Sequence, residues 1–444
     1  MTPAITPLEA WTRAKLGLTA GEPLSREGLR GWQLERLRST MAWARGRSPF
    51  YRWRFRGLPA EPLRVLDDLT GLPFTTAADL RREHRGMLCT SQGEVARIVT
   101  LRTSGTTADP KRLYFSQDDL ELTLDFFHQG MSTLTGPGRT VLILLPGSTP
   151  DSVGDLLARA LGRLGARGVA HGPVSDPART LEILAREGAS CLVGIPTQVL
   201  ALARHPRGAA LPPGQVRSVL LTTDYVPRAI RRALEGAWGC QIFAHYGMTE
   251  LGLGGAVECA AHDGCHLRAA DLYCEVVDPA DGRVLPPGRA GELVFTTLTR
   301  RAMPLIRYRS GDLGRLREEP CACGSLVPRL DGLRGRVEML AALAPGLTLG
   351  QADLDEAVFA APGVVDFRAR LIRRGEGWSL GLRLRVSPEA GPGCAEAVSE
   401  ALERMPVLQR ARRQGLLELE PVAINESIWF NDGMVKRAIL LERE

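Results

Sequence analysis

The sequence predicts an α/β protein with two domains: a large N-terminal domain over residues 1–334 and a smaller α+β domain over residues 335–444. Three observations predict it. Between residues 140 and 245, short apolar runs alternate with amphipathic helical patterns, which points to mostly parallel sheets covered by helices. From about Gly254, short alternating strands are divided by the turn signals Asp281-Gly282, Pro287-Gly288 and Arg289-Ala290-Gly291, which reads as an antiparallel β subdomain. A compositional break then falls at Gly335–Leu340. A chain of 444 residues also exceeds one ordinary core.

The elements follow in order. Residues 25–55 are helical, with Trp32, Leu34, Leu37, Met41 and Ala44 mostly three and four apart, and Ser48-Pro49 stops the helix. Residues 60–92 form a punctuated connector whose Thr75-Thr76 starts a short helix. Val95–Leu101 reads as a strand and Asp118–Met131 as a helix. Strands at Val141–Leu145, Arg167–Ala170, Cys191–Ile195, Val216–Thr222 and Gln241–Ala244 alternate with helices at Asp151–Leu164, Pro177–Glu187, Pro196–Arg204 and Pro227–Ala237. The C-terminal unit reads as a helix near 352–360, strands near 363–371 and 378–386, a helix near 395–404 and a strand near 415–421. Ala341–Leu349 reads as a loop.

Composition excludes several classes. Hydrophobic content of 44% with 24% charged residues is that of a soluble globular protein. The net charge of +6 is modest, and 5% aromatics do not interleave with the arginine clusters at Arg228, Arg231 and Arg232 and at Arg410, Arg412 and Arg413. These read as solvated helix faces, against nucleic-acid binding. There is no secretory pattern at the start and no apolar window of about 18 residues, so no membrane partner and a cytoplasmic location are expected. Nine cysteines in such a chain suggest reduced thiols or a metal site.

Thr103-Ser104-Gly105-Thr106-Thr107 with Lys111 follows a strand and offers hydroxyls, backbone N–H groups and one cation to a polyphosphate. It lacks the GxxxxGK[ST] spacing, and such clusters are more often plain turns. Lysine usage adds weight. Of 56 basic residues only Lys15, Lys111 and Lys436 are lysines, so a surviving lysine points to a need for a compact ammonium. Lys15 is read as an accident of composition. In an open α/β sheet, ligands bind at the carboxyl ends of the strands. The loops after Ile195, Thr222 (with Thr223 and Asp224) and Ala244 are therefore candidate walls. His245-Tyr246-Gly247-Met248-Thr249-Glu250 brings a ring, a hydroxyl and a carboxylate to such an end. Arg307-Tyr308-Arg309-Ser310-Gly311-Asp312 sets a carboxylate in a tight turn, suited to ribose hydroxyls.

In this order and at these separations, the three stretches resemble the adenylate-forming superfamily. Arg300–Asp312 and the cysteine-glycine stretch after it look like the phenylacetate–CoA ligase branch. The resemblance covers residues 25–340 well and the last hundred weakly. It implies an enzyme that activates a carboxylic acid with ATP and Mg²⁺ as an acyl adenylate and passes it to CoA, with an aryl or short apolar acid as substrate. By that resemblance Thr103, Ser104, Gly105, Thr106, Thr107 and Lys111 grip phosphates, and Tyr246 and Gly247 meet adenine. Thr223 and Asp224 stand where the family has its adenine loop. Thr249 contacts the α-phosphate, Glu250 holds Mg²⁺, and Asp312 and Arg336 bind ribose. The C-terminal domain becomes a mobile one that delivers a lysine. A homodimer is compatible with this reading.

That lysine normally follows a glycine near the C-terminus. Here Asn431-Asp432-Gly433-Met434-Val435-Lys436 places Met434 there. In an extended segment residues i and i+2 face one side, so Lys436 is the functional candidate. The hinge segment Gly335–Leu340 lacks the family's paired aspartates and leaves Glu338 as pivot. Two alternatives stay open: a degenerate, non-catalytic nucleotide-binding paralogue, and an adenylating enzyme that serves a carrier protein.

Cys259, His262, Cys265 and His266 fall in one stretch, and Cys321-Ala322-Cys323-Gly324 supplies a tight pair, all suited to tetrahedral Zn²⁺. The branch resemblance selects Cys259, His266, Cys321 and Cys323 as ligands of a structural zinc, with His262 and Cys265 as spares. Cys89, Cys191, Cys240, Cys274 and Cys394 read as core. His171 reads as a satisfied loop histidine rather than a pocket residue.

Overall fold

The computed structural model describes residues 4–19, 21–59, 63–101, 109–391, 393–425 and 436–443. Helices α1 (Pro7–Lys15), α2 (Arg26–Arg47), α3 (Pro49–Arg54) and α4 (Ala77–Arg82) precede strands β1 (Arg97–Leu101) and β2 (Lys111–Phe115). Then come α5 (Gln117–Met131), β3 (Thr140–Ile143), α6 (Val153–Arg163), β4 (Arg167–Ala170), α7 (Pro177–Arg186), β5 (Cys191–Gly194), α8 (Pro196–Ala203) and α9 (Pro206–Ala209). They are followed by β6 (Ser218–Leu221), α10 (Arg228–Trp238), β7 (Gln241–Tyr246), β8 (Ala256–Glu258), β9 (Cys265–Leu267) and β10 (Leu272–Val277). Strands β11 (Ala290–Thr297), β12 (Tyr308–Arg317), β13 (Arg329–Arg336), β14 (Ala341–Ala344) and β15 (Leu347–Leu349) continue the chain. It closes with α11 (Gln351–Val358), β16 (Val364–Arg374), β17 (Gly377–Val386), α12 (Cys394–Glu403), α13 (Pro406–Arg413), β18 (Leu417–Leu419), β19 (Ala423–Ile424) and β20 (Leu440–Arg443). Among the described residues no helix is long and apolar enough to cross a membrane.

The chain packs as two units. The first comprises Met1–Gly136, Pro150–Leu164 and His245–Leu333. Local chemistry sets its helix ends. Ser48 stops α2 and its hydroxyl accepts from Tyr51 N at 3.2 Å, so it also caps α3, with Pro49 in the first turn where a missing N–H costs nothing. Thr76 and Asp79 form a reciprocal capping box for α4, as Ser116 and Asp119 do for α5. Strands β1 and β2 pair antiparallel with Leu101 opposite Lys111, and the Thr103–Thr107 stretch lies outside the described residues. The antiparallel strands run in the order β10-β11-β12-β13-β9-β8, and β8 pairs with the end of β7 through His245↔Val257 and Tyr246↔Ala256.

Lys15 corrects the sequence reading. Its ammonium lies 2.7 and 2.8 Å from the two carboxylate oxygens of Asp271 and 4.3 Å over the Trp11 ring. Asp271 also accepts from Arg268 Nε at 2.7 Å and Thr299 Oγ1 at 2.9 Å. Burial pulls the Lys15 ammonium down from its ordinary range, and the Asp271 carboxylate opposes that pull. We predict that Lys15→Met lowers stability by about 1–3 kcal/mol, less than a fully orphaned buried charge because Arg268 still serves Asp271. An unchanged urea midpoint would refute this.

The second unit comprises Pro137–Thr149, Gly165–Ala244 and Arg334–Glu444. Its parallel strands run β7-β6-β5-β3-β4, with Val141 paired to both Gly168 and Cys191. All four residues of β5 and of β6 are buried, as strands covered on both faces require. The C-terminal part holds the sheet β18-β17-β16-β20, whose centre is the long antiparallel pair β16–β17. Residues 341–349 form the hairpin β14–β15, not a loop, because Ala341, Leu343, Leu347 and Leu349 all turn into the core. One apolar core joins Leu192, Val199, Leu221 and Ile230 to Leu354, Phe359, Phe367 and Leu382. The packing division after Leu333 lies beside the break read at Gly335, yet residues 334–444 share this core with the parallel strands.

Candidate active site and metal centre

In the first unit, β2 begins with Lys111, and the turn after β7 carries Thr249 and Glu250. Lys111 and Glu250 are 8% and 3% exposed and form an ion pair, and Tyr308 OH donates to Glu250 Oε1 at 3.2 Å. Arg300 locks the two elements together. Its Nη1 donates to the Glu250 carbonyl at 2.6 Å and its Nη2 to the Tyr114 carbonyl at 3.0 Å, with the guanidinium 4.4 Å over Phe115. Gly247 is required by space, since a Cβ there would lie 2.0 Å from the Leu253 carbonyl oxygen.

Tyr246 and Asp312, remote in sequence, meet here. Tyr246 OH donates to Asp312 Oδ2 at 2.9 Å, and its ring stacks on Phe295 at 5.9 Å. Burial, with the adjacent Asp312 carboxylate, holds the phenol protonated well above its usual range. Ser310 Oγ accepts from Asp312 N at 3.0 Å and fixes the turn. Arg307 and Arg309 are not drawn into this cluster: they pair with Glu275 and Glu292.

In the second unit the loop after β6 contains Thr223, held at a φ of 78°, a strained value for a β-branched residue. Asp224 Oδ1 accepts from Tyr225 N at 2.8 Å, and its carboxylate faces the backbone N–H of Arg437 and the charge of Lys436. Burial pushes this carboxyl up, against the pull of both cations. The Arg437 side chain is buried, with Nη1 2.6 Å from Asp355 Oδ1 and Nε 3.2 Å from Asp366 Oδ1, and its guanidinium lies over the rings of Phe359 and Phe367. Burial raises the Asp355 carboxyl to about 6. Arg336 pairs with Glu338 at 2.7 Å. Met434 lies outside the described residues. His171 is a satisfied loop histidine, bonded to Gly172 O at 2.9 Å and Thr180 Oγ1 at 3.3 Å.

Sequence reasoning assigned no role to Arg300, Tyr308 or Arg437. Arg300 and Tyr308 fall in the stretch that carries the branch resemblance, and Arg437 stands beside the lysine.

Back in the first unit, the ligand atoms of Cys259, His266, Cys321 and Cys323 all lie within 4.8 Å of one another, and all four residues are buried. Two thiolates about 2.3 Å from one tetrahedral zinc stand about 3.8 Å apart. Cys259 and Cys321 Sγ are 3.8 Å apart, and Cys323 Sγ is 3.6 Å from His266 Nε2. His266 Nδ1 meets the Val327 carbonyl at 3.1 Å, which makes Nε2 the nitrogen that could coordinate a metal. Burial would raise the Cys323 thiol, but the His266 ring and the backbone N–H groups beside it bring it down to about 6. Cys265, beside His266 on β9, alternates to the other face, and His262 turns to Glu258 at 3.5 Å. The other five cysteines are buried and free, as expected.

Residues 94–298 match the family described as AMP-binding enzyme. Over 366 residues, 80% of each chain, this protein is 31% identical to the phenylacetate-coenzyme A ligase of Thermus thermophilus. The chain belongs to the phenylacetate–CoA ligase family. The Aromatoleum evansii member is 28% identical over 393 residues, 86% of this chain and 87% of its own. The fold is also that of a 2-hydroxyisobutyryl-CoA ligase solved with its acyl adenylate, with a TM-score of 0.77 at 23% identity over 93% of this chain and 89% of that one. Family membership makes the protein an AMP-forming acid–CoA ligase.

Proposed function

We propose that this ligase activates an aryl or short apolar carboxylic acid. A substrate carboxylate oxygen attacks the α-phosphorus of ATP, pyrophosphate leaves, and the CoA thiolate then attacks the acyl carbonyl and releases AMP. The observation that carries this reading is the buried Lys111–Glu250–Tyr308 cluster beside the paired Tyr246 and Asp312. A lysine and a carboxylate buried against each other form a ready exchange site: the ammonium can turn to phosphate oxygens and the carboxylate to a hard cation. Mg²⁺ bound at Glu250 would neutralise the triphosphate.

The remaining assignments follow the family motifs. Thr103, Ser104, Gly105, Thr106 and Thr107 join Lys111 on the phosphates. Thr249 meets the α-phosphate, Tyr246 and Gly247 the adenine, and Asp312 the ribose. Thr223 and Asp224 serve as the adenine loop, Arg336 as a second ribose contact and Lys436 as the cation of the adenylation step. Residues 335–444 act as the mobile part that carries Lys436. Cys259, His266, Cys321 and Cys323 hold one structural Zn²⁺, a reading supported by the two distances that match tetrahedral geometry. A cytoplasmic location suits nine cysteines without a disulfide.

Pyrophosphate release over a panel of acids, with and without CoA, tests the reading. Aryl or short apolar acids should release pyrophosphate and yield the CoA thioester. Adenylate without thioester would favour a carrier-protein acceptor. ATP binding with no release for any acid would favour the non-catalytic alternative, which Met434 at the family's lysine position motivates.

A further inference from the structure

Helix α11 carries two adjacent carboxylates with different partners. Asp355 takes the guanidinium of Arg437 at 2.6 Å, and Gln351 Nε2 donates to the same oxygen at 2.9 Å. Glu356 reaches the loop after β6: its Oε1 accepts from Tyr225 OH at 2.5 Å and from the backbone N–H of Arg228 at 3.0 Å. Arg228 is the first residue of α10, so that N–H has no partner within its own helix, and a carboxylate there also meets the positive end of the helix dipole. Between the two grips, Asp224 faces the Arg437 backbone N–H and Lys436.

We propose that Asp355 and Glu356 act as one clamp that ties the segment bearing Lys436 to the 223–228 loop, with Glu356 and Tyr225 as positioning residues for adenylation. Successive residues on a helix point about 100° apart, so two neighbouring acids on one rigid turn hold two separate segments at a set spacing. An unclamped Lys436 would lose its fixed distance to the loop, and small displacements of a charge-stabilising group lower the rate steeply. The clamp makes no demand on thiolate attack at a finished adenylate. This inference deepens the proposed function and rests on it for the kinetic part only.

Tyr225→Phe removes one hydroxyl and leaves the Glu356–Arg228 cap in place, so it separates the tie from simple helix capping. Glu356→Ala removes both bonds, and Glu356→Gln retains an acceptor and should rescue in part. We expect Tyr225→Phe and Glu356→Ala to slow pyrophosphate release at saturating ATP about tenfold or more. Thioester formation from a saturating synthetic acyl adenylate and CoA should keep its wild-type rate. Hydrogen exchange on the full chain reads the clamp without any activity: in Glu356→Ala, residues 223–228 and 436–443 should lose protection together. If both half-reactions fall in parallel, or if exchange rises in only one of the two segments, the clamp is refuted. A wild-type protein that forms no adenylate would refute the functional reading, and the exchange result would still decide the clamp.

Discussion

Lys436→Ala should lower the rate of adenylate formation about a hundredfold or more and leave ATP affinity nearly unchanged. A cation aimed at charge that develops on the α-phosphoryl oxygens stabilises the transition state more than bound ATP, so its loss appears in kcat. Lys436→Arg should not restore the rate, since a planar guanidinium does not replace a compact ammonium. Lys111→Ala behaves differently. It should weaken ATP binding about tenfold, because a lysine on the leaving phosphates, the role proposed for Lys111, acts in the ground state as well. It also leaves the buried Glu250 with Tyr308 as its one side-chain partner among the described contacts, so a loss of stability should accompany the binding defect. The informative control is Met434→Lys in the Lys436→Ala background. Recovered activity would mean that the pocket is intact and accepts an ammonium from either position. Wild-type adenylation by Lys436→Ala would instead remove Lys436 from the mechanism and turn the search to the arginines.

Purified protein should contain about one zinc per chain, and removing it should unfold the region that Cys259, His266, Cys321 and Cys323 tie together. Structural zinc sites have apparent binding energies of about 10–16 kcal/mol in small peptides, and even a quarter of that is a large part of a domain's net stability. Cys323→Ser should therefore lose the metal and lower the melting temperature by several degrees. Cys265→Ser and His262→Ala should keep it, because those side chains stand outside the cluster. Zinc-free protein whose four side chains react freely with thiol and imidazole reagents in the native state would dispose of the site.

That Cys259, His266, Cys321 and Cys323 cluster was legible from the sequence through the branch resemblance, although Cys259 and Cys321 lie 62 positions apart. Cysteine and histidine are distinctive, and Cys321-Ala322-Cys323-Gly324 already aims two sulfurs at one point. The parallel strands and their helices were legible for a simpler reason. Apolar periodicity and caps such as Thr76 with Asp79 act within a few residues, where a linear reading sees both partners. The three ordered motifs carried the family, and with it the reaction.

Other features depended on partners that no local pattern names. Lys15 looked accidental because its carboxylate, Asp271, lies 256 positions away. Arg437 looked like any of the chain's many arginines until the fold closed Asp355, Asp366, Phe359 and Phe367 around it. Arg300 joins two carbonyls from separate segments, and the hairpin over residues 341–349 exists because the core has room for Leu343, Leu347 and Leu349. A buried charge is tolerable only beside its partner. Short-range patterning tells which stretches become helices and strands, but the pairing of charges at long separation is decided only when tertiary packing removes the water that would otherwise solvate them.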